Sequence, residues 1–97
     1  MVERETQEVH SGGSPDQHGS VMTPIYATST FEYETPTELQ GDYRYGRMGN
    51  PTRAALEQAI ADLEDGTHAA AFASGMAAID SVFATLTPGD HVVAGKN

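Results

Sequence analysis

The chain has 97 residues, with 14 acidic against five basic side chains and a formal net charge of −9, which limits it to one small domain and excludes the clustered positive charge of a nucleic-acid-binding surface. It contains no cysteine, so disulfides, thiolate nucleophiles and cysteine metal sites are excluded. The charged N-terminus does not read as a signal peptide and no apolar run reaches membrane-spanning length, so no membrane partner is expected and the expected location is cytoplasmic, the lysine-poor acidic balance suiting a high-salt interior.

Residues 1–49 show no helical periodicity beyond a turn around Val2 to Val9. The Gly/Ser/Pro-rich stretch SGGSPDQHGS (11–20) reads as loop. TPIYATSTFEY (23–33) has the Thr, Tyr, Phe and Ile content of a strand, but Pro24 within it favours an extended arm equally. YRYGRMGNPT (43–52) follows, with Arg44 and Arg47 interleaved between tyrosines and Arg53 just beyond.

The second half is patterned. Asn50 suits an N-cap and Pro51 the first helical position. Leu56, Ile60 and Leu63 recur at i, i+4 and i+7, which predicts a helix over about 51–64 ending at a Gly66 cap. HAAAFA (68–73) reads as a buried strand and SGM (74–76) as a break. Ile79, Val82, Phe83 and Leu86 predict a second helix, TPGD (87–90) a turn and HVVAG (91–95) a further strand. Helix, strand, helix, strand is the opening of a wound α/β fold with a parallel sheet. Such a sheet is covered on both faces, which two helices cannot achieve. The expectation is therefore the opening segment of something larger.

Two places suit an anion. At FASGMAA (72–78) a small-residue turn enters a helix, so free backbone N–H groups point outward at the positive end of the dipole. Ser74 adds a hydroxyl and Gly75 allows close approach; a tight turn that needs glycine for packing alone is the alternative. It matches neither G-x-G-x-x-G nor the P-loop. In the arm, Arg47 offers a planar fork of donors, and Tyr45 brings a hydroxyl to the same side if the segment is extended. Taken alone, that stretch is better read as a surface arm whose arginines pair with the abundant carboxylates. His10, His18, His68 and His91 show no metal-ligand spacing and receive no role, and no metal site is expected. The carboxylates along 57–65 read as the solvated face of the first helix, and Asp90 as a turn residue.

YRYGRMGNPTRAALEQAIADLEDG, AAAFASGMAAI and LTPGDHVVAG together closely resemble the N-terminal part of the Cys/Met-metabolism family of pyridoxal 5'-phosphate (PLP) enzymes. That family includes cystathionine γ-synthase, cystathionine γ-lyase, methionine γ-lyase and O-acetylhomoserine sulfhydrylase. TQEVHSGG and TPIYATSTFEY resemble its N-terminal arm, so the likeness covers essentially the whole chain. The resemblance implies an α/β fold of fold type I (aspartate-aminotransferase-like), truncated. Residues 1–50 would be an extended inter-subunit arm, and residues 51–97 the incomplete start of the large PLP-binding domain.

It further implies that Tyr45 and Arg47 bind the phosphate of a neighbouring subunit's cofactor. The turn of Ser74, Gly75 and Met76 would bind the phosphate of the chain's own. An active homodimer, assembled into a tetramer, would act on small amino-acid substrates by γ-elimination or γ-replacement. The family's Schiff-base lysine matches no residue here, Lys96 included, so no catalytic residue is assigned and the 97 residues alone are expected to be inactive. A Tyr-Gly-Gly-like, cofactor-stacking element is expected shortly after Asn97. The alternative is a non-catalytic remnant or interaction piece.

Overall fold

The computed structural model describes residues 3–10 and 16–96. Val2 and residues 11–15, which carried parts of two expectations, lie outside the described residues. The described residues form three helices and one short hairpin: α1 (Arg4–His10), β1 (Tyr33–Thr35), β2 (Glu38–Leu39), α2 (Pro51–Leu63) and α3 (Gly75–Phe83).

The arm is more structured than a bare extended segment. After an Asx turn, in which the Asp16 carboxylate accepts from the His18 and Ser20 N–H groups, the chain runs without regular structure to residue 29. β1 and β2 then pair antiparallel with Tyr33 opposite Leu39 and an irregularity before Thr35. The pairing continues outward as a loose ladder. Phe31 N–H donates to the Arg44 carbonyl at 3.0 Å, Thr30 bridges Tyr45, and Gly46 N–H donates to the Ser29 carbonyl at 2.6 Å. The Phe31 and Tyr43 rings, 5.5 Å apart, pack beside it.

α2 forms where the capping pattern predicts. The Asn50 side chain accepts from Thr52 N–H at 2.8 Å, and Pro51 opens the helix without losing a bond. At the other end the cap differs from expectation. Asp65, not Gly66, takes the left-handed conformation, with φ 55°. Asp65 N–H reaches the Asp62 carbonyl and Gly66 N–H the Ala61 carbonyl at 2.8 Å, the paired bonds of a Schellman motif. A side chain from far upstream completes this end: the Arg4 guanidinium donates to the Leu63 carbonyl, placing a cation at the negative pole of α2.

The two expected buried strands do not form. Residues 69–73 and 91–96 carry no ladder, and Phe72, Val92 and Val93 are exposed. A strand exists only through its hydrogen-bonded neighbour, and among the described residues neither stretch has one. The second helix also ends at Phe83, short of the expected Leu86, in overlapping turns whose N–H groups at Thr85 and Leu86 reach the carbonyls of Val82 and Phe83. The turn at 87–90 is as expected: the Asp90 carboxylate accepts from Thr87 N–H at 2.7 Å, and Gly89 takes φ 100°. The anticipated stripe on α2 is not a core. Leu56 and Ile60 are about half exposed, and Ala61 is the one buried hydrophobic side chain among the described residues.

Candidate functional site

The Asn50-Pro51-Thr52 step ties the arm to α2. Besides capping the helix, Asn50 donates through Nδ2 to the Tyr26 carbonyl at 3.0 Å. Thr52 Oγ1 accepts from Tyr26 N–H at 2.8 Å and donates to the Pro24 carbonyl. Two side chains thus act as a ladder partner for an arm segment that has no strand beside it.

Immediately upstream, the chain turns. Met48 and Gly49 N–H groups both reach the Tyr45 carbonyl, at 2.9 and 3.0 Å. Tyr45 and Arg47 were expected on one side of an extended segment; they do meet, but through this turn. The Arg47 guanidinium carbon lies 4.9 Å from the centroid of the Tyr45 ring. Gly46 sits between them because the backbone is close: a Cβ there would lie 3.1 Å from the Thr28 carbonyl oxygen.

In so acidic a chain, the two readings of the stretch differ in whether its arginines meet carboxylates. Among the described residues the ion pair of Arg53 with Glu57 is the one formed, and no carboxylate approaches Arg44 or Arg47. A guanidinium over an aromatic ring is held by the ring's negative face without using up its N–H donors on a carboxylate. The Tyr45 hydroxyl likewise meets no acceptor among the described residues.

The second place is the N-terminus of α3. Ser74 is its N-cap, its Oγ accepting from Ala77 N–H at 3.1 Å. Its hydroxyl proton stays available to donate. The Gly75 and Met76 N–H groups meet no protein acceptor among the described residues, and a Cβ on Gly75 would meet open space. A phosphate dianion fits these donors: unpaired N–H groups at a helix N-terminus, room above Gly75, and a guanidinium without a competing carboxylate.

No direct bond joins the two places among the described residues. Two residues that sequence reasoning passed over connect them. Arg53 Nη1 donates to the Gly46 carbonyl at 3.1 Å and the Arg47 carbonyl at 3.4 Å, while its Nε pairs with Glu57 at 3.5 Å. The other Glu57 oxygen accepts from Ala71 N–H at 3.2 Å, three residues before Ser74. Glu57, expected on a solvated face, is half-buried and engaged on both sides. Among the described residues no group of three or more His, Asp or Glu side chains could hold a metal, and no helix is long and apolar enough to cross a membrane.

The geometry is that of a small partial α/β piece with N–H and guanidinium donors that meet no acceptor among the described residues. The sequence pattern of the Cys/Met metabolism PLP-dependent enzymes matches residues 5–97, and the chain belongs to that family, whose cofactor is pyridoxal 5'-phosphate. It is 52% identical over 90 residues to a cystathionine beta-lyase of Coxiella burnetii, covering 92% of this chain and 23% of that protein. Identity to a cystathionine gamma-synthase of Mycobacterium tuberculosis is also 52% over 90 residues, covering 91% and 23%. Among solved structures, metB from Corynebacterium glutamicum superposes with a TM-score of 0.85 at 48% identity, over 94% of this chain and 24% of that one. The chain thus spans about a quarter of the length of the relatives it matches.

Proposed function

We propose that these residues form the N-terminal part of a cytoplasmic PLP-dependent transsulfuration enzyme of fold type I. It would act on sulfur amino acids or O-acylhomoserine by γ-elimination or γ-replacement. The observation that carries this reading is the family match across residues 5–97. The equal 52% identity to a beta-lyase and a gamma-synthase brings β-elimination into the same class, so similarity alone does not select among these reactions.

When bound, the cofactor's pyridine ring supplies the electron sink for cleaving bonds at the amino-acid substrate. The residues in hand hold its phosphate. Arg47 presents two parallel N–H donors and Tyr45 a hydroxyl, and this pair serves the cofactor of a neighbouring subunit in a dimer that assembles further into a tetramer. Ser74 Oγ and the Gly75 and Met76 N–H groups serve the chain's own cofactor. Residues 1–50 act as the inter-subunit arm and residues 51–97 begin the cofactor-binding domain. Support for the clamp comes from Arg47 lying over Tyr45 without a carboxylate partner.

The test is Arg47→Ala in the enzyme that carries these residues. A charge-assisted hydrogen bond contributes about 1.5–3 kcal/mol, so PLP affinity should fall roughly 10- to 150-fold. Arg47→Lys should recover part of it, because a point charge cannot reproduce the fork. Unchanged affinity in Arg47→Ala overturns the clamp. A second reading, a non-catalytic piece docking on a complementary partner, is favoured by Ala61 being the one buried hydrophobic residue among the described residues. DNA sequence downstream of the Asn97 codon separates the two, since the enzyme reading requires an open frame that soon encodes a Tyr-Gly-Gly-like element.

A further inference from the structure

Arg53 occupies the third position of α2, at the positive end of the helix dipole, where a cation is disfavoured and an acid is the usual choice. It also precedes its partner Glu57 by four residues, the less favourable order for an intrahelical pair. Helix energetics alone therefore do not account for this pair. Its outward contacts do: one guanidinium nitrogen holds two carbonyls of the Tyr45–Gly49 turn, and the second carboxylate oxygen holds the Ala71 N–H. An ordinary surface pair on a helix leaves those atoms to water.

We propose that Arg53 and Glu57 are positioning residues that tie the Tyr45–Arg47 turn to the segment leading into Ser74–Met76, setting both phosphate-binding turns on one rigid strut. This rests on the clamp reading above and deepens it. If Tyr45 and Arg47 serve a neighbouring subunit's cofactor while Ser74–Met76 serve the chain's own, the strut links the two cofactor sites of the dimer through α2. The fork matters. Arg53 reaches the carbonyls with Nη1 while Nε faces Glu57, a division of donors that the single ammonium of lysine cannot make.

The experiment uses the enzyme that carries these residues, stripped of cofactor, and two probes: PLP and pyridoxal, which lacks the phosphate. For Arg53→Met and Glu57→Gln, the ratio of PLP to pyridoxal affinity should fall about three- to tenfold, as for loss of an ordinary hydrogen bond. Pyridoxal affinity itself should stay within a factor of two. Arg53→Lys should recover only part of the ratio. A role in stability alone would lower both affinities together and leave their ratio at the wild-type value, which overturns the proposal. Glu57→Gln keeps an acceptor for Ala71 N–H and nearly the same shape, so it serves if Arg53→Met fails to fold. Arg47→Ala is the control that keeps the two readings apart. If it lowers the ratio and the strut variants do not, the strut is wrong and the clamp stands. If it leaves the ratio unchanged, the clamp fails and the strut falls with it.

Discussion

Asp65 shows how little a residue's type reveals about its backbone until its neighbours are fixed. Glycine at 66 and helix-ending acids at 64 and 65 point to a cap in this neighbourhood, yet the left-handed position falls on Asp65, and Gly66 instead supplies the N–H that closes on Ala61. The Schellman geometry requires the residue after the C-cap to be left-handed, and here that residue bears a Cβ and a negative charge at the negative pole of α2. Both features cost free energy. Asp65→Gly should therefore stabilise the end of α2 by about 0.5–1 kcal/mol, seen as roughly two- to fivefold slower amide exchange at Asp65 and Gly66. Asp65→Asn removes the charge while keeping a side chain that tolerates this conformation, and should give a smaller slowing. Faster exchange in Asp65→Gly would mean that the carboxylate contributes more than its backbone costs.

At the level of elements, α2 was legible because its signals are local. Asn50, Pro51 and the 3.6-residue spacing act within a turn or two, and the helix runs Pro51–Leu63 as they predict. The 68–73 and 91–95 stretches were legible only as apolar runs, since whether such a run becomes a strand depends on a partner distant in sequence. The site divides in the same way. Ser74–Met76 could be read from one strand-to-helix pattern and Tyr45 with Arg47 from their donors, but the turn that stacks them depends on Gly46 packing against residues 28 and 29. The Arg53–Glu57 link was missed although its one local sign, a cation in the first turn of a helix, was in view. Asn50 serves two elements at once, and substitutions should separate its roles. Asn50→Ala should cost the α2 N-terminus about 0.5–2 kcal/mol of protection and also release the arm at Tyr26. Asn50→Asp keeps the capping oxygen but loses the Nδ2 donor. It should leave the first-turn amides of α2 protected while exchange at Tyr26 quickens; equal protection at both places would show that Thr52 alone holds the arm.

For the whole molecule, surface area is the decisive quantity. A compact protein of this mass exposes about 5,400 Å², whereas this chain exposes 8439 Å². Its radius of gyration, 17.4 Å, likewise exceeds the 12–13 Å or so of a compact chain of this length. Large apolar side chains are among what the chain exposes: Val21, Met22 and Ile25 on the arm, Met76, Val82 and Phe83 along α3, and Val9, Met48 and Val93 besides. Surfaces of that kind are covered in a working protein. Under the proposed function the arm's covering is a neighbouring subunit, which would put Arg47 beside that subunit's cofactor. This has a consequence that no measurement on one kind of subunit can supply. At a PLP concentration that loads the intact site but not one weakened roughly 10- to 150-fold, Arg47→Ala subunits are mixed with subunits lacking the lysine that anchors the cofactor, so that both are inactive alone, and allowed to exchange. If Arg47 acts across the interface, each mixed dimer contains one intact site, with lysine from the first subunit and arginine from the second. Activity should return, up to about a quarter of the wild-type level, because half of the dimers are mixed in an equimolar population and each has one of its two sites intact. If Arg47 served its own subunit, every site would keep one lesion and the mixture would stay inactive although exchange had occurred, so labelled subunits that form mixed dimers without activity would rule out the crossed arm.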